Sequence, residues 1–158
     1  MPQRTCCFTG HRELSPVKFI SVKHRLLSVI DQLISRGITN FCAGGALGFD
    51  TLAALTVLEA KNKYPQIKLI MILPCKDQAD NWSFVKRENY KAILRKADEV
   101  FYVAESYSQF CMQKRNQELV NRSSICVCCL ERSSGGTAYT VNYAKKKGLE
   151  IINLLNPE

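Results

Sequence analysis

Phe41-Cys42-Ala43-Gly44-Gly45-Ala46-Leu47-Gly48-Phe49-Asp50 decides how the rest of the chain is to be read. A short β-like segment runs into three glycines and then into an apolar run that ends at Tyr64. A strand feeding a glycine turn feeding a helix directs backbone N–H groups and the positive end of the helix dipole at one spot, which suits an anionic ligand. The spacing Gly-Gly-x-x-Gly-x-Asp is neither the dinucleotide fingerprint nor a phosphate loop with Gly-Lys-Ser/Thr. Two readings therefore stay open: a phosphate contact through Gly44, Gly45 and Gly48, or a tight turn whose glycines only permit close packing. Contact gains weight because similar turns recur at two other expected strand ends.

Upstream, residues 5–9 read as a first strand, followed by Gly10-His11-Arg12 and then by Ser15-Pro16, a helix cap with proline at the first helical position. Ile20, Leu27, Ile30, Leu33 and Ile34 recur at helical spacing until Gly37 closes the helix. Downstream, residues 67–73 form a continuous apolar run that stops at Pro74, as expected of a strand buried on both faces of a parallel sheet. A helix follows over 83–97, a fourth strand over 99–104, a helix to about Arg122, a fifth strand over 125–130, a helix to Lys147 and a last strand over 151–155.

Six strands alternating with five helices specify an α/β fold, a Rossmann-like three-layer α/β/α sandwich with a mostly parallel six-stranded sheet. The doubly wound order 3-2-1-4-5-6 is the expected topology. The chain has 158 residues and is 46% hydrophobic, ordinary for one domain with its own core, here 1–158.

No positively charged leader opens the chain, and residues 41–60 hold three glycines, Asp50 and Glu59, so neither export nor a membrane span is expected. The expected location is cytoplasmic. Seven of the eight cysteines lie in or beside expected strands with no paired Cys-x-x-Cys motif, which makes most of them small buried hydrophobes. Adjacent strand residues point to opposite faces, so Cys126, Cys128 and Cys129 do not converge on one ion, and no metal is expected. A formal charge of +8 favours phosphorylated or polyanionic partners, although the cations are spread over several helices as on any solvated surface.

Ligands of such sheets bind beyond the carboxyl ends of the strands. That rule brings residues 9–12, 44–50, 74–82, 105–107 and 133–137 to one rim. Gly10 admits close backbone approach, and Arg12 offers a planar fork for phosphate or carboxylate, or else a surface ion pair. His11 is a general acid or base, or a hydrogen-bonded structural or ligand-contacting group. Asp50 caps its helix, or contacts a ribose hydroxyl or a metal. Trp82 stacks on a base, closes the crevice as a lid or packs in the core, and Gln78 meets a base edge, a ribose or solvent. Arg115 and Asn116 lie on a helix whose place relative to the rim the sequence leaves open, so they contact the ligand or make a surface salt bridge.

Thr9-Gly10-His11-Arg12, the stretch from Cys42 to Asp50, Pro74-Cys75 with Gln78 and Trp82, and Ser134-Gly135-Gly136-Thr137 together resemble the YpsA-like branch of the SLOG superfamily. That superfamily joins the Smf/DNA-processing proteins, DprA-like, to the Lonely Guy proteins. The likeness covers nearly the whole chain. It implies a Rossmann-like domain that binds nucleotides or nucleotide-derived ligands, and relatives that associate with themselves. The turn from Gly44 to Asp50 is similar to the glycine turn of DNA-processing proteins, which implies single-stranded DNA as a further partner. Met112-Gln113-Lys114-Arg115-Asn116 with Gly135-Gly136 is similar to elements of the Lonely Guy phosphoribohydrolases. Here the sequence departs: no glutamate follows Gly136 at the catalytic place, Ser134 stands for proline, and Asn116 stands for the second basic residue. Without that carboxylate nothing stabilises an oxocarbenium-like centre or activates water there. The expected function is binding of a nucleotide-like phosphorylated ligand, with N-glycosidic cleavage and single-stranded nucleic-acid binding as alternatives, and with a homodimer as the form its apolar helix faces allow.

Overall fold

The computed structural model describes residues 2–155. After a short 3-10 turn, Pro2–Arg4, the chain alternates without interruption: β1 Thr5–Gly10, α1 Pro16–Ser35, β2 Asn40–Ala43, α2 Phe49–Lys61, β3 Lys68–Leu73, α3 Phe84–Lys96, β4 Glu99–Tyr102, α4 Cys111–Asn121, β5 Ile125–Cys129, α5 Gly136–Lys146 and β6 Glu150–Asn153. Local chemistry sets the boundaries. The Ser15 hydroxyl accepts the Lys18 N–H at 3.3 Å to cap α1, and Gly37 leaves that helix at φ 99°. Ser83 caps α3 in the same way.

All five strand pairings are parallel, in the order β4-β3-β2-β1-β5-β6. The first three crossovers step the chain outward from β1 to β4, with α1 packed on α2 and α2 on α3. Then α4 carries the chain back to the far side of β1, and α4 packs on α5. The Rossmann-like α/β architecture and the 3-2-1 run stand as expected from sequence. The difference is that β4 adds outside β3 instead of beside β1, so the winding reverses between β1 and β5. Burial gives the reason: Ile125–Cys129 is buried at every residue and suits the sheet centre, whereas Phe101 and Tyr102 are 38% and 39% exposed, tolerable only on an edge strand.

The alternation of side chains along each strand divides the core in two. Cys6, Phe8, Phe41, Leu69, Met71 and Val127 point toward α1, α2 and α3, while Cys7, Cys42, Ile70, Ile72, Cys126 and Cys128 point toward α4 and α5. Phe8 anchors the first half, stacked on Phe41 at 6.1 Å and edge-on to Phe49 at 6.3 Å. Full burial of each of these rings contributes on the order of 2–3 kcal/mol. All eight cysteines are free and buried, six of them within strands, with Cys75 just beyond β3 and Cys111 at the start of α4. Among the described residues no helix is long and apolar enough to cross a membrane.

Candidate functional site

At the β1/β5 reversal a crevice of about 770 Å³ opens beyond the carboxyl ends of the strands. That is room for a mononucleotide-sized molecule. Three strand-to-helix connections and one face of α4 line it.

From the end of β1 come Thr9, Gly10, His11 and Arg12. A Cβ on Gly10 would stand 2.5 Å from the Phe49 ring, so glycine lets α2 close on the strand. His11 is 6% exposed and ties three segments together: its carbonyl accepts the Phe49 N–H at 3.1 Å, and its Nε2 accepts the Glu131 N–H at 3.0 Å. Burial and the charges of Arg132 and Lys18 hold its pKa below the ordinary histidine value. The ring is therefore neutral near pH 7 with its proton on Nδ1, the structural role weighed above. Arg12 is exposed and makes no ion pair among the described residues.

The β2–α2 turn contributes Ala46 and Asp50. Its three glycines do not line the crevice. Gly44 lies against the Arg115 guanidinium, Gly45 against Leu73, Tyr90 and Gln78, and Gly48, at φ 78°, has the Arg12 carbonyl oxygen 2.1 Å from where a Cβ would be. In this structure they serve close packing. Asp50 is 6% exposed and its Oδ2 accepts the Ala46 N–H at 3.2 Å. Burial pushes its carboxyl up to about 6, against the pull of Arg115, that N–H and Arg12.

Arg115, Asn116 and Met112 enter from α4. Arg115 is no surface residue: at 5% exposure it donates to the Gly44 carbonyl through Nη1, to Asn116 Oδ1 at 2.8 Å through Nε and to Met112 Sδ at 3.8 Å through Nη2. Burial lowers its pKa and the Asp50 charge raises it, and the guanidinium stays protonated.

The β5–α5 connection supplies Ser134, Gly135, Gly136 and Thr137. Unlike α1 and α3, α5 has no side-chain cap, and a Cβ on Gly135 or Gly136 would touch nothing. The glycines here leave the helix N-terminus bare toward the crevice. Glu131 and Arg132 also line it, with Glu131 paired to Lys18, and sequence reasoning missed both. The signal was their place directly after an expected strand, the same rule that had singled out Ser134.

Pro74, Gln78 and Trp82 do not line the crevice. Pro74 is buried at the end of β3, Gln78 Nε2 donates to the Tyr90 hydroxyl at 3.1 Å, and Trp82 sits edge-on to Tyr90 at 5.2 Å against the core. Trp82 takes the packing role weighed above. No three His, Cys, Asp or Glu side chains among the described residues are placed to hold a metal. What the crevice offers is charge and donors: the Arg12 fork, the buried Arg115 cation and the N-terminus of α5.

Comparison with known proteins agrees with this architecture. Residues 7–153 match the YspA SLOG family, YpsA. SPbeta prophage-derived protein YoqJ of Bacillus subtilis is 36% identical over 140 residues, 80% of this chain and 82% of that protein. DNA processing protein A (DprA) of Streptococcus pneumoniae shares the fold with TM-score 0.70 at 17% identity, over 95% of this chain and 49% of that one. The Helicobacter pylori DNA processing protein A, described for its single-stranded DNA binding mode, does so with TM-score 0.66 at 18% identity, over 95% of this chain and 64% of that one. The chain thus spans about half to two thirds of those two structures.

Proposed function

The chain belongs to the YspA SLOG family, and from that premise we propose that its crevice binds a nucleotide or nucleotide-derived phosphorylated ligand in the cytoplasm, as a sensor or regulatory module. The observation that carries this reading is the meeting of Arg12, Arg115 and the bare N-terminus of α5, from three distant parts of the chain, around one space of about 770 Å³. Backbone N–H groups at a helix start and a guanidinium fork are complementary to phosphate oxygens. Eight free, buried cysteines fit a reducing compartment. Binding of this kind needs no catalyst. The Nε2 of His11 is spent on a backbone N–H, and α5 carries no acid that could stand for the Lonely Guy glutamate.

Melting of the purified protein against a panel of nucleoside mono-, di- and triphosphates and dinucleotides tests the reading. A ligand at a hundredfold over its Kd adds about 2.7 kcal/mol, a rise in Tm of roughly 5–10 °C for a chain of this size. No rise with any member counts against it. Native mass spectrometry of the same preparation reports retained ligand and subunit number together, and so also tests the homodimer.

A second reading, single-stranded nucleic acid, draws on the charge of +8 and on Tyr107 and Phe110, 65% and 57% exposed in the connection before α4. The Helicobacter pylori DNA processing protein supplies the precedent on this fold. This reading requires an affinity that falls steeply with salt and with loss of the two rings.

A further inference from the structure

Charge around the crevice is closely balanced. Arg12, Arg115 and Arg132 face Glu13, Asp50 and Glu131, and Lys18 takes Glu131 out of the count. Asp50 is the buried acid among the three. Its Oδ2 and the Arg115 Nη1 flank one point of the turn, 3.0 and 2.8 Å from where a Cβ on Gly44 would stand. Arg115 nevertheless spends three of its five N–H groups on Gly44, Asn116 and Met112 and makes no ion pair with Asp50 among the described residues, so the carboxylate lacks the forked pairing that would fix its charge, and two N–H groups remain for an anion. The groups that act on it are Arg115 from α4, the Ala46 N–H from its own turn and Arg12 from the β1–α1 connection, all favouring the carboxylate, while burial favours the acid and prevails. Arg12, Cys111 of α4 and Tyr90 of α3 in turn act on Arg115.

We propose that Asp50 couples ligand binding to proton uptake: when a phosphate-type anion enters the crevice, one proton from solvent moves onto the Asp50 carboxylate. The proposal rests on the reading of the crevice as an anion site. An anion held by Arg12 and Arg115 competes with the carboxylate for the same two cations and repels it across a poorly solvated gap. Protonation removes both penalties, and the ligand keeps its charge. Affinity for the anion then rises as pH falls, by at most tenfold per pH unit for one proton.

Inorganic sulfate is the probe, because it stays dianionic throughout the pH range and contributes no titration of its own. Calorimetric titrations of wild type, Asp50→Asn and His11→Gln at about pH 6 and pH 8, at constant ionic strength and in two buffers of different ionisation heat, read affinity and proton uptake together. Wild type is expected to bind several-fold more tightly at the lower pH and to take up part of a proton. Asp50→Asn should bind more tightly than wild type at the higher pH and lose most of the pH dependence, while His11→Gln keeps it. Sulfate binding without proton exchange, or with the same pH profile in Asp50→Asn, overturns the coupling and leaves the anion site standing. No binding of sulfate at either pH overturns both. Should Asp50→Asn fail to fold, the carbon-13 carboxyl resonance of Asp50 in wild type decides: its titration midpoint moves up with sulfate, or the proposal is wrong.

Discussion

The ring of His11 accepts the backbone N–H of Glu131 at 3.0 Å, joining the end of β1 to the end of β5 across the line where the sheet reverses its winding. The bond closes one side of the crevice and holds the β5–α5 connection in place. His11→Ala removes the acceptor of this part-buried N–H, which costs about 1 kcal/mol, and equilibrium unfolding in urea measures it. The sign of the pH effect follows from the lowered pKa. The neutral ring is the form the fold favours, so this contribution is full above the unfolded value of 6.5 and is lost as pH falls through the lower folded value.

Asp50 acts in the opposite direction. Its folded pKa of about 6 lies above the unfolded 3.8, so its contribution is full below 3.8 and is lost as pH rises through 6. Asp50→Asn keeps an oxygen for the Ala46 N–H and removes the buried charge. The variant is expected to be more stable than wild type at pH 8, by up to about 3 kcal/mol for a shift near two units, and to lose that advantage at acid pH. Thermal melts of the two proteins across pH check the crossing.

Gly48 and Gly136 separate the two uses of glycine at this rim. Gly48→Ala forces a side chain onto φ 78° and into the Arg12 carbonyl, at a cost of about 1–3 kcal/mol from the conformation alone. Gly136→Ala meets open space and should change stability by no more than about 0.5 kcal/mol. Its added methyl covers the N-terminus of α5, so ligand affinity falls while Tm holds. Melting and ligand titration of both variants read the contrast.

Trp82→Ala tests the packing role of the tryptophan. Trp82 is only partly buried, so loss of its contact with Tyr90 and the core lowers stability by about 1–3 kcal/mol, less than for a fully buried ring, and affinity for a crevice ligand is expected to stay unchanged in protein that remains folded. A loss of affinity larger than the loss of folded protein would return Trp82 to the site.

The βα alternation was legible because the central strands are apolar runs bounded by turn residues, as at Ile67 to Pro74, and because two helices carry a serine start signal, as at Ser15-Pro16 and Ser83. The position of β4 was not. Strand order depends on which strand tolerates an edge, and Glu99-Val100-Phe101-Tyr102 shows its edge character only once the exposure of its rings is known. The strand-end rule brought Thr9 to Arg12, Asp50 and Ser134 to Thr137 to the crevice wall, because backbone direction alone places them there. It overreached at Gln78 and Trp82, whose side chains turn inward to Tyr90, and at Gly44, Gly45 and Gly48, which pack against Arg115, Leu73 and the Arg12 carbonyl. Rim membership is a property of the backbone. Whether a side chain faces the ligand or the core is settled by packing, and spacing in sequence does not encode it.

The central claim is that separated connections form one anion-binding crevice, and amide chemical shifts under titration with adenosine 5′-monophosphate test it most directly. The account predicts saturable shifts at Gly10, Arg12, Ala46, Gly135 and Gly136, with Gln78 and Trp82 unmoved. Shifts confined to other surfaces, such as the Phe84 or Tyr107 connections, or no shifts up to millimolar nucleotide, would contradict it.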